Sequence, residues 1–209
     1  MDLRMETSLK IRKIKVQDIR PTQMTAGFRE VKAKRKEWKE ADSSRAHRRK
    51  FIDNHAIPAV LGPSKAIYVT DHHHVARALF DENVEDALVV VHCDLSALPM
   101  MTFWNFMDQK SWCRPVDDHG QRQKFSKIPD TLEGLKDDPY RSLSAAVERC
   151  GGFAKDGQPF NEFLWADYFR GHIRRKSLEE DFDAAVERAI SAARDKDARY
   201  LPGWCGGDR

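Results

Sequence analysis

The spacing of apolar and polar residues changes several times along the chain, and each change predicts an element. Lys10 to Val16, K-I-R-K-I-K-V, alternates basic with apolar residues and reads as a half-buried strand with Ile11, Ile14 and Val16 turned inward. Ile19-Arg20-Pro21-Thr22 breaks it. From Phe28 to Glu40 the apolar residues Phe28, Val31 and Trp38 fall at helical spacing. Arg29, Lys32, Lys34, Lys36 and Lys39 cover the remaining faces, which predicts a basic amphipathic helix. Ser43 and Ser44 are placed to cap a second helix through Arg45-Ala46-His47-Arg48-Arg49-Lys50. Ile57-Pro58-Ala59-Val60-Leu61 reads as an edge strand, because proline cannot donate to a ladder. Gly62-Pro63-Ser64 turns it back into Ala66-Ile67-Tyr68-Val69 as a hairpin. V-T-D-H-H-H-V-A-R-A-L then opens a helix to about Glu82, and Ala87 to His92 is a buried strand.

Strand, helix, strand implies an α/β core over residues 8–96. Beyond it the pattern is helical: Leu98, Met101, Trp104 and Met107 form a stripe, and residues 97–209 are expected to be a helical region packed on the core. Residues 111–136 are polar and irregular, a linker or a lid. Asp138-Pro139 caps a helix that Gly151-Gly152 closes, Phe160 to Arg170 is an aromatic-rich helix, and Ser177-Leu178-Glu179-Glu180 has the form of a capping box for the last helix.

The 209 residues can bury a core without staples; 33% charged and 41% hydrophobic residues describe a folding, non-membrane chain. The longest apolar run, Ala87 to Val91, is too short for a bilayer, and M-D-L-R-M-E-T-S lacks the apolar block of a secretion signal, so a cytoplasmic address is expected. Cys93, Cys113, Cys150 and Cys205 form no C-x-x-C pair and read as reduced thiols. The net charge of +3 is unevenly spread. Residues 1–50 hold 16 Lys/Arg against 7 Asp/Glu, a local +9. Such a surface attracts phosphate polymers or is simply a solvated helix face. Lys34, Lys36, Arg45, Arg48 and Arg49 make the candidate nucleic-acid patch.

Three of eight histidines stand together at the strand-to-helix junction. With Asp71 as N-cap, His72, His73 and His74 occupy the first turn, where backbone N–H groups lack helical partners and the dipole favours an anion. Phosphate would dock on those amides, with His73 or His74 as acid or base. Asp71 and His74, three apart, could instead share an ion with Glu30 or Asp117, or the cluster could be a structural cap.

Two stretches resemble the ParB/sulfiredoxin superfamily. I-Y-V-T-D-H-H-H-V-A-R-A-L is similar to its strand-turn-helix element, where D-G-H-H-R or G-E-R-R opens a helix that binds a nucleotide or phosphate. V-Q-D-I-R-P-T-Q resembles its first box, a strand leading into an I-x-P-x-Q turn. D-D-P-Y-R-S-L, E-R-C-G-G-F-A-K and P-F-N-E-F-L-W-A-D-Y-F-R resemble the helical half of the ParB-like nuclease branch, so the likeness covers most of residues 10–170. It implies a small mixed sheet with helices and nuclease-like or nucleotide-hydrolysing chemistry, with bound ATP, ADP or CTP and Mg or Mn as cofactors. It also implies two alternatives: a partition-type DNA-binding module switched by nucleotide, and a small-molecule kinase with Glu30 as base. A homodimer is compatible with it. His72 stands where relatives carry glycine, and Val75 where they carry an arginine, with Arg77 two residues later as a substitute. His73 stands at the sulfiredoxin cysteine, so that chemistry is not implied.

Gln23, Thr25 and Gly27 could deliver backbone and hydroxyl donors to an anion, and Glu30 with Lys32 and Lys34 could orient water or hold phosphate; turn chemistry and exposed ion pairs explain them equally. His92 and Cys93 face opposite sides of a strand and make a poor nucleophile pair. Asp117-Asp118-His119-Gly120 would be lid chemistry or a solvated turn. Arg141, just inside a helix start, is a functional candidate, whereas Trp165 and Phe169 read as core.

Overall fold

Strand β6 (Asp86–Asp94) buries every second residue, Ala87, Val89 and Val91, and has neighbours on both sides. The computed structural model describes residues 10–206. In it β1 (Lys10–Lys15) pairs antiparallel with β6, with Lys10 opposite Val91. The other strands are β2 (Ile19–Arg20), the two-residue β3 (Thr25–Ala26), β4 (Ile57–Leu61), β5 (Ile67–Val69) and the two-residue β7 (Lys136–Asp137). The five-stranded sheet runs β1-β6-β4-β5-β2, with β4 parallel to β6, antiparallel to β5, and β2 parallel to β5.

Helices α1 (Phe28–Ala41), α2 (Arg45–Asn54), α3 (His73–Asp81) and α4 (Met100–Gln109) complete this part. Alternation along the strands sorts the core into two layers. Ile57, Ala59, Leu61, Ile67 and Val69 join Trp38, Phe51, Val75, Ala76 and Leu79 of α1, α2 and α3. Val60 and Tyr68, on the opposite face, join Phe103 and Met107 of α4. A fully buried valine or leucine here contributes about 1.5–3 kcal/mol.

Contacts divide the chain into two units: residues up to Ala26 with Val31–Lys136, and Gly27–Glu30 with Asp137–Arg209. Residues 97–136 therefore belong with the sheet, beyond the 8–96 span. The segment 111–136 is anchored rather than lid-like: Cys113, Val116, Ile128, Leu132 and Leu135 are buried, and Leu132 and Leu135 enter the α3 layer. The second unit holds α5 (Pro139–Arg149), α6 (Asn161–His172), α7 (Arg175–Glu180) and α8 (Phe182–Ala193) around Trp165, Phe169 and Leu143, which are fully buried. Trp165 and Phe169 are core, as expected.

Four expectations need correction. β4 is central, not an edge: Pro58 sits at the β5-facing end of the ladder, where its carbonyl accepts from Thr70 N at 2.9 Å and only its own missing N–H goes unmade. Ile11 points to solvent, 68% exposed, on the edge strand β1. The α4 stripe is Phe103 and Met107, whereas Met101 is 68% exposed. Ser177 lies inside α7, and α8 is opened by Asp181, whose side chain accepts from Ala184 N.

Candidate functional site at the start of helix α3

The turn from β5 into α3 is built by a residue in an unusual backbone state. His72 is the N-cap, with φ 61° and ψ 30°, the left-handed region that a non-glycine residue enters only where its surroundings hold it. Asp71 therefore does not cap the helix in the expected way. Its carboxylate accepts from His72 N at 2.7 Å and closes the turn one residue earlier. The exposed His72 ring turns back along the chain, its Nδ1 3.1 Å from the Ala56 carbonyl. A carbonyl only accepts, so Nδ1 carries the proton and Nε2 is presented to solvent.

His73 does the opposite. Its ring is 2% exposed, and Nε2 accepts from Thr22 N at 3.1 Å and lies 3.3 Å from Thr22 Oγ1. The same hydroxyl donates to the Val69 carbonyl at 2.7 Å. This latch joins the end of the first box to the end of β5 and commits the Nε2 lone pair to a backbone donor. His73 is thus turned inward, in the manner of a structural cap rather than of the expected acid or base; His74 is half-buried.

A protein-family model described as "Putative ParB-like nuclease" matches residues 12–171. The chain belongs to this family. The crystal structure of protein Atu1540 from Agrobacterium tumefaciens is similar, at 41% identity and a TM-score of 0.89, covering 96% of this chain and 99% of that one. No curated protein matches.

For this ParB-like nuclease family member the other expected site residues distribute unevenly. Gln23 and Thr25 are buried, 3% and 0% exposed, and Arg114 N bonds the Thr22 carbonyl beside them. Arg77 does not reach toward the turn: its Nη1 donates to the carbonyls of Leu132, Glu133 and Leu135 at 3.0–3.1 Å, and its Nε to Asp81 at 2.7 Å. It fastens the 132–135 segment to α3. Glu30 is counted with the second unit, where both carboxylate oxygens accept from Arg149, at 2.7 and 2.9 Å. Its neighbours Phe28 N and Arg29 N are capped by Asp137 and by Ser142 Oγ. Burial pushes the Asp137 carboxyl up, and the bond from Phe28 N offsets part of that.

Lys32 is exposed on α1, and the basic patch is largely paired: Lys36 with Glu40, Arg48 with Asp42, Arg49 with Asp53. A cleft of about 790 Å³ beside α2 is lined by Lys13, Arg45, Arg48 and Arg49 and by Asp42, Asp53, Glu82, Glu85 and Asp86, so its lining carries both signs of charge. Lys34 points elsewhere. Its Nζ bonds both Glu37 oxygens, at 2.8 and 3.1 Å, and lies 3.3 Å from His55 Nε2. Neither Glu37 nor His55 stood out in the sequence; a histidine two residues ahead of a strand was the available signal.

Asp117 organises a turn, accepting from His119 N, Gln121 N and Gln123 Nε2. Burial opposes its ionisation, but those bonds hold it below the ordinary carboxylate range. Arg141 is a buried cation, 4.1 Å over the Phe163 ring and bonded to Glu162. Burial raises the Cys93 thiol and pushes Cys113 up to about 12, which keeps both protonated. Among the described residues no group of three or more His, Cys, Asp or Glu side chains is placed to hold a metal ion, so Asp71 and His74 lack a third protein ligand. No helix is long and apolar enough to cross a membrane among the described residues.

Proposed function

We propose that this protein hydrolyses phosphodiester bonds in nucleic acid, with the scissile phosphate held at the β5–α3 turn. The observation that carries the reading is the latch between His73 and Thr22. It locks the two boxes together beneath a helix start, whose dipole and first-turn amides favour an anion. The nuclease description of the family supports it. In this account His73 positions the turn rather than transferring a proton. His72, whose ring is exposed and whose Nε2 faces solvent, stands beside the phosphate, with His74 next to it. Gln23, Thr25 and Arg77 act as scaffold.

Nucleotides such as ATP, ADP or CTP offer the same phosphate chemistry and are alternative guests at this turn. Mg or Mn, where required, would arrive with the phosphate oxygens, because among the described residues the side chains do not form a cage; no step here runs through it. The kinase reading is disfavoured by the two bonds that tie Glu30 to Arg149, and Glu30→Gln should leave hydrolysis intact. The test is incubation of the protein with labelled single-stranded and duplex oligonucleotides and a nucleotide panel, with and without divalent metal. Cleavage that weakens steeply as salt rises is expected. Duplex binding without product would instead support the partition-type reading, and neither binding nor product would overturn both. Asp71→Asn removes a negative charge beside the guest and should tighten binding several-fold.

A further inference from the structure

We propose that His55, with Lys34 and Glu37, supplies the general base for this hydrolysis; the inference rests on the phosphate site assigned above. His55 is the C-cap of α2, its ring stacked on Phe51 with centroids 4.1 Å apart. Nδ1 is 2.9 Å from the Phe51 carbonyl, which can only accept, so the proton is on Nδ1 and the neutral ring keeps its lone pair on Nε2. Nε2 faces the two charged groups that α1 brings to the ring: Lys34 Nζ at 3.3 Å and Glu37 Oε2 at 3.7 Å. The side chains of His55, Lys34 and Glu37 are 22%, 31% and 45% exposed, so water and substrate reach all three.

An ion pair between Lys34 and Glu37 at this spacing needs no imidazole to form, and a C-cap needs no second partner at Nε2. The cluster is joined to the phosphate site by one residue: the carbonyl of Ala56, next after His55, accepts from His72 Nδ1. Each imidazole thus has Nδ1 fixed by a backbone carbonyl; Nε2 of His72 is presented, and Nε2 of His55 faces Lys34 and Glu37.

The chemistry follows from these positions. An arriving phosphate draws the Lys34 ammonium from Nε2, and a water takes its place. The water oxygen forms the new bond to phosphorus as His55 Nε2 takes one of its protons. The bond from phosphorus to the leaving ester oxygen breaks, its electron pair stays on that oxygen, and solvent water protonates it while the His55 imidazolium returns its proton to the bulk. Glu37 stabilises the His55 imidazolium.

The test measures kcat and the pH profile on a labelled single-stranded oligonucleotide, with binding followed by fluorescence anisotropy. His55→Gln should lower kcat about 100-fold or more, the range of general acid–base catalysis, with the dissociation constant within twofold. His55→Ala should regain activity on addition of imidazole, which a purely structural residue would not. Glu37→Gln leaves the ring untouched and tests the base even where His55 variants unfold. It should lower kcat about tenfold, because the imidazolium formed in the step loses the carboxylate that faces it. Wild-type cleavage with His55→Gln within threefold, no imidazole rescue and an unchanged kcat in Glu37→Gln would overturn this inference and leave the phosphate site standing. Binding without cleavage also overturns it, and absence of both binding and cleavage removes the phosphate site with it.

Discussion

Replacing His73 by alanine tests the latch, and the structure sets the size of the effect. Thr22 is fully buried, so losing Nε2 strands its N–H in the interior, at a cost of about 2 kcal/mol. Removing the ring of a residue 2% exposed leaves a void that adds about 2 kcal/mol. The expected loss is about 4 kcal/mol, which for a chain of this length lowers Tm by about 10 °C. Urea unfolding followed by tryptophan fluorescence reads it as a lower midpoint at unchanged slope. A change below about 0.5 kcal/mol, well under the cost of one stranded buried donor, would show that the latch does not hold the turn, and His73 would return as a catalytic candidate. Had the ring been the expected acid or base, the same substitution would cost activity and leave stability nearly unchanged.

Further outcomes follow from the same geometry. His72→Gly should raise stability by up to about 1 kcal/mol, since glycine adopts the left-handed turn without strain, while losing the ring beside the phosphate; chemical denaturation and cleavage rate together check it. Arg77→Met should cost about 3 kcal/mol, because it unpairs three carbonyls and Asp81, while phosphate affinity stays within about twofold. His92 is held below its ordinary 6.5 by burial, against a weaker opposing bond to Val90. The unfolded chain therefore binds the proton first, so stability is full above about pH 6.5 and falls as the pH drops below it; His92→Gln should flatten that slope in denaturation curves at pH 7.5 and 5.5.

How much of this could be read from residues alone depended on whether the signal was local. The strands and helices follow from apolar spacing and caps, and Asp138-Pro139 and Ser44 cap the helices they were expected to cap. The family was legible because its two boxes are contiguous motifs. Side-chain direction at a non-helical cap was not. Taking Asp71 as N-cap put all three histidines in the first turn, whereas the left-handed His72 rotates the register, sending His73 to Thr22, 51 residues earlier. The glycine of relatives at that position carried the hint: it marks a backbone state, which histidine here adopts under constraint. Pro58 misled for a related reason, since a proline at a ladder end is tolerated in a central strand. Arg77, Glu30 and His55 owe their partners to residues 55, 119 and 21 positions away, which no spacing rule reaches.

The central claim is that the β5–α3 turn holds a phosphate ester, and a titration of the ¹⁵N-labelled protein with a thymidine dinucleotide monophosphate tests it most directly. Amide resonances of Asp71 to Val75, with Thr22 and Gln23, should shift most and saturate together. Saturating shifts confined to Arg45–Arg49, with those resonances unmoved, would contradict the account.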